Sequence, residues 1–115
     1  MSKQFKNIDF NKIEEMVEDD VDFRNQLLDA ITVAVEELRN TYVRGIEEKS
    51  LPTIKQARHK IKPTLGLFDL EKLAVIIGNG KRLLLENGFG DGIDRHKEEF
   101  LDAANEVLEE VKQYR

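Results

Sequence analysis

The sequence has no cysteine and no tryptophan, and only 2 prolines and 7 glycines in 115 residues. Without cysteine there can be no disulfide, no thiolate metal ligand and no thiol nucleophile. Missing disulfides fit a reducing compartment, and a cytoplasmic protein is expected. A long apolar run is absent too. The opening residues, MSKQFKNIDFNK, lack the apolar core of a signal peptide. No stretch approaches the roughly 20 apolar residues that span a bilayer, so no membrane partner is expected. A surplus of positive charge is also missing, the net charge being −5. Nucleic-acid binding rests on Lys and Arg set against phosphates, which leaves nucleic acid an unexpected partner.

What is present points to helices. The chain is 40% hydrophobic and 36% charged, enough apolar content for one globular domain with a single modest core. Residues 1–7 read as a loose tail and residues 8–115 as the domain. A short helix follows Asp9 as N-cap, with Phe10, Ile13 and Val17 on one face. Residues 21–48 carry Leu27, Leu28, Ile31, Ala34, Val35, Leu38, Tyr42 and Ile46 mostly at spacings of three and four, the apolar stripe of a long helix. Ser50 suits the N-cap of a third helix and Pro52 its first turn. Its stripe is Leu51, Ile54, Ala57, Ile61, Leu65 and Phe68. A fourth helix is expected from near Asp69, with Leu70, Leu73, Ala74, Ile77 and Leu84 inward. The stretch NGFGDG (87–92) is a break. A last helix carries Ile93, Phe100, Leu101, Ala104, Val107, Leu108, Val111 and Tyr114. No segment alternates with period two. The pattern predicts an all-α fold, an up-and-down antiparallel four-helix bundle with a short extra N-terminal helix.

Charge is unevenly spread. Acids crowd residues 14–48, yet none occurs from Leu51 to Phe68, a strip that holds Lys55, Arg58, Lys60, Lys62 and one of two histidines, His59. Residues on a helix step about 100°. His59 therefore points away from the Ile54–Ala57–Ile61–Leu65 stripe, toward solvent. Lys55 at i−4, Lys62 at i+3 and Gly66 at i+7 share its face. A neutral imidazole nitrogen is a nucleophile, and Lys55 and Lys62 can hold a phosphoryl group by charge-assisted hydrogen bonds. Gly66 leaves room for a partner. The set suits covalent phosphate carriage. It does not suit hydrolysis, because no acid orients the ring, and it offers no metal site, because the neighbours are not ligands. Taken alone, a surface histidine on a charged helix ordinarily has no role.

The stretch ARHKIK (57–62) resembles the motif of the histidine phosphotransfer (HPt) family. The family places a small residue shortly before the acceptor histidine, an apolar residue two after it and a lysine three after it. Ala57, His59, Ile61 and Lys62 stand at those positions. The likeness extends over residues 8–114, through IDFNKIEEMVEDDVDFRNQLLDAITVAVEEL and LEKLAVIIGNGKRLL. The resemblance implies a phosphorelay carrier, not an enzyme. His59 would accept a phosphoryl group from one receiver-domain aspartate and pass it to another. The partners would be the receiver domains of a hybrid sensor kinase or of a response regulator. The receiver would supply the acidic pocket and the Mg²⁺, with no cofactor in this chain. Lys62 and Lys55 would stabilise the phosphoryl group, while Arg58, Lys60 and Gly66 would serve docking. Three positions depart from the family pattern. Arg58 replaces a small residue, Pro63 stands where glycine follows the lysine, and Asp69 replaces a second glycine. Pro63 has no N–H for the His59 carbonyl, so a kink, or a carbonyl left to water, is expected just past the site.

A rival reading keeps the fold but makes the chain an adaptor that binds a partner without phosphotransfer. A helical enzyme is a weaker third, since nothing in the sequence supplies a pocket of convergent polar groups. His96, among Asp94, Glu98 and Glu99, reads as a surface residue without a role. GNG (78–80) follows no strand and lacks the Lys-Ser or Lys-Thr of a phosphate loop, so it reads as a helix distortion or a close packing point. Val33 and Leu67, off the main stripes, are candidates for an apolar ring around His59.

Overall fold

The computed structural model describes residues 6–115. Five helices follow in order: α1 (Phe10–Val17), α2 (Val21–Glu47), α3 (Leu51–Leu67), α4 (Glu71–Asn87) and α5 (Ile93–Tyr114). Among the described residues there is no strand. Helices α2 to α5 form the expected up-and-down bundle. Helix α2 packs on α3 and α5, α4 closes the ring against α5 and α3, and α1 lies on α2. Of the four neighbouring pairs in the ring, α3 and α4 pack least closely. No described helix is long and apolar enough to cross a membrane.

Local chemistry sets the boundaries. Asp9 accepts from the backbone N–H of Asn11 at 3.1 Å, Asp20 from that of Phe23 at 3.0 Å and Ser50 from that of Thr53 at 3.3 Å. Each satisfies a donor that a helix start leaves orphaned. Helix α4 starts at Glu71, two residues later than the sequence suggests. Asp69 adopts a left-handed conformation with φ 50°, and the Leu70 N–H returns to the Leu65 carbonyl at 3.0 Å. That closure ends α3, in a position where glycine is the ordinary residue. The side chain of Asp69 is retained there by an ion pair with Lys12 of α1.

The core follows the stripes except at Leu51, the first residue of the α3 stripe, which the helix start leaves 50% exposed. Ile31, Val35 and Tyr42 of α2, Ile54 of α3, Leu73 of α4 and Phe100, Ala104 and Val107 of α5 are buried. Gly45 lets α2 and α3 cross closely, since a Cβ there would sit 2.6 Å from Cγ1 of Ile54. This approach fixes α3, the basic helix, firmly on α2.

The expected tail does not extend to Asn7. Its first five residues lie outside the described residues, but Asn7 and Ile8 are buried. The Glu110 carboxylate of α5 accepts the backbone N–H of Lys6, Asn7 and Ile8 at 3.1 to 3.2 Å. It also accepts Nδ2 of Asn7 at 2.5 Å. The chain is thus tied to α5 before α1 begins. Phe10 stacks on Tyr114 with ring centroids 3.9 Å apart, which seats α1 across the end of the bundle.

Candidate functional site

Helix α3 presents His59 outward. Ile54, Ala57 and Ile61 are buried, while Lys55, His59, Lys62 and Gly66 are all exposed. Four positions that the sequence assigns to one face are therefore on that face. A Cβ added at Gly66 would meet nothing within 4 Å, so this end of the face is open. The chain stays helical through Pro63 to Leu67. The proline side chain lies on the exposed side, where the unmatched His59 carbonyl can reach water.

The remaining cations diverge from that face. Lys60 turns toward α2 and forms an ion pair with Glu37. Arg58 is only partly exposed and lies near enough to Tyr42 to oppose the rise in the tyrosine's pKa. Lys55 and Lys62 have no ion pair among the described residues. The acid-free strip seen in the sequence is therefore not acid-free in space, because Glu37 comes in from the neighbouring helix. What stays without an ion pair beside His59 is Lys55 and Lys62, the two lysines that the sequence places on its face.

One open groove of about 1390 Å³ runs along this helix, with lining from α2, α3 and α4. His59 and Lys62 are on it, as are Val33 of α2 and Lys81 of α4. Val33 is 63% exposed and adds apolar surface to the groove that His59 also lines. Leu67 is exposed too, at 54%, but lies outside the groove. Among the described residues, no three His, Asp or Glu side chains cluster as a metal site would require.

His96 is not a surface residue. It is 5% exposed, and its Nε2 lies 2.8 Å from the Tyr42 hydroxyl. The signal was its phase, three residues after Ile93 and four before Phe100, both buried. Its acidic sequence neighbours point away from the core while the ring goes in. Gly80 of α4 covers the pair, since a Cβ there would fall 2.2 Å from Nε2 of His96 and 2.4 Å from the Tyr42 oxygen. GNG is thus a close packing point at Gly80, whereas Gly78 faces open space.

Burial pushes the His96 pKa down from 6.5, against a smaller opposing effect of Glu99. Burial also raises Tyr42 to about 12, so the phenol stays protonated at neutral pH. A histidine that is harder to protonate when folded binds fewer protons in the native than in the unfolded state. Stability is then full above about pH 6.5 and falls as pH drops below it. Urea midpoints at pH 7.5 and 5.5 check this, and the drop is expected to be smaller in His96→Gln than in the wild type.

Comparison with protein families, with characterised proteins and with solved structures yields no match. The functional reading therefore stands on the residues and their geometry.

Proposed function

We propose that the protein is a phosphocarrier of the histidine phosphotransfer type, with His59 as acceptor. The observation that carries this reading is one exposed face of a rigid helix on which His59 stands between two unpaired lysines, Lys55 and Lys62. In the reaction, a lone pair on an imidazole nitrogen attacks the phosphorus of a receiver's aspartyl phosphate. The N–P bond forms, the P–O bond to the aspartyl oxygen breaks, and its electrons leave with the carboxylate. Reversal toward a second receiver returns the group. Lys62 and Lys55 balance the phosphoryl charge in the phosphohistidine. The receiver supplies Mg²⁺ and the acidic pocket, and the cations around α3 favour approach of that acidic surface. Gly66 gives clearance, Arg58 adds charge at the groove wall, and Lys60 acts only as far as Glu37 releases it. The setting for this chemistry is cytoplasmic.

The test is transfer from a phosphorylated receiver domain, read as acid-labile label on the chain. Lys62→Ala is expected to take label about tenfold more slowly, the scale of one charge-assisted contact of about 1.4 kcal/mol. An unchanged rate in that variant would remove the lysine from the mechanism. Binding of receivers without any label on the wild type would leave the adaptor reading in its place.

A further inference from the structure

We propose that the seam between α3 and α4 is a docking site for an acidic amphipathic helix of a partner protein. This inference does not rest on phosphoryl chemistry at His59. Helices α3 and α4 are consecutive and antiparallel, yet they pack least closely of the neighbouring pairs. Two antiparallel helices that part leave a straight trough walled by one flank of each.

The flanks repeat with helical spacing. On α3 the seam side carries Arg58, Lys62 and Leu65, at steps of four and three. On α4 it carries Ala74, Gly78 and Lys81, at steps of four and three. Leu65, Ala74 and Ile77 line the groove as apolar floor. Gly78 stands mid-wall, and a Cβ added there would meet nothing within 4 Å, so the wall is lowest at that point.

Charge selects the occupant. Arg58, Lys62 and Lys81 face the groove. The one acid on its lining is Glu37, which lies on α2 and is taken by Lys60. A local cationic trough on a chain of net charge −5 complements an acidic partner and steers it. An apolar floor asks for an apolar stripe. Among the described residues there is no strand whose edge an extended peptide could extend. A helix with one leucine face and one glutamate face satisfies all three requirements, in the helix-in-groove mode.

The probe is a fluorescent synthetic helix of about five turns, leucine on one face and glutamate on the other. Its controls are the same peptide with lysine for glutamate, and a scrambled peptide of equal composition. Anisotropy titrations are expected to show micromolar binding of the glutamate helix and at least about tenfold weaker binding of both controls. Gly78→Leu fills the low wall and Lys81→Glu reverses its charge. Each is expected to weaken binding about tenfold while helical content by circular dichroism stays at the wild-type level. Both positions are exposed, so two independent variants remain folded enough to read. Equal binding of the controls, no binding of the glutamate helix, or affinity untouched by both variants would overturn the proposal. Because the readout is peptide affinity, failure of phosphotransfer would not register in it, nor the reverse.

Discussion

Glu110→Ala is expected to cost about 3 kcal/mol of folding stability, more than any surface change in this chain. Glu110 is 8% exposed and its carboxylate takes three successive backbone N–H groups from residues 6–8. Removing it strands donors that have turned away from water. An orphaned buried donor costs about 1–3 kcal/mol, and water re-entering near Lys6 recovers part of the sum. The loss would spread to Ile8 and Phe10, which stay buried only while the segment is held against α5. Glu110→Gln keeps one acceptor oxygen and should lose about half as much. Urea denaturation measures both, and amide exchange at Ile8 reports whether the segment lets go first. A cost under about 0.5 kcal/mol for the alanine variant would mean that water replaces the carboxylate and that the tie is not structural.

Gly80→Ala is expected to destabilise by about 1–3 kcal/mol, although helix propensity alone favours alanine by about 1 kcal/mol. The added methyl would meet the buried His96–Tyr42 pair at 2.2 and 2.4 Å. The pair cannot retreat easily, because the tyrosine ring also packs on Phe100 at 4.3 Å between centroids. Gly78→Ala, two residues away in the same helix, meets nothing and should stabilise by about 0.5–1 kcal/mol. Opposite signs from two glycines of one GNG triplet would confirm the approach of α4 to α5. The same sign at both would show that the core here relaxes freely.

The helices were legible because the stripes are long. In α2 and α5 the apolar residues recur over many turns, and that periodicity survives any local detail. The face of His59 was legible for the same reason, since burial of Ile54, Ala57 and Ile61 fixes the direction of every other residue on α3. Pairings between helices were not legible. Glu37 and Lys60 are far apart in the sequence and meet only because α2 packs on α3. Glu110 has no local feature marking it as the anchor of the chain start. His96 misled for a different reason. Its neighbours are charged, but helical phase outweighs neighbours one residue away, and phase puts it inside. The start of α4 slipped by two residues because a left-handed Asp69 costs little when its side chain finds Lys12.

The buried His96 also provides an internal control for the exposed His59. The two share a side-chain chemistry and differ in access. The most direct measurement is site-resolved phosphorylation, by mass spectrometry under alkaline conditions, after mixing the protein with phosphorylated receiver domains. Wild type, His59→Gln and His96→Gln are compared. One phosphoryl group is expected on His59 in the wild type and in His96→Gln, and none in His59→Gln. Label retained in His59→Gln, or no label on the wild type from any receiver that binds it, would contradict the assignment of His59 as a phosphoryl carrier.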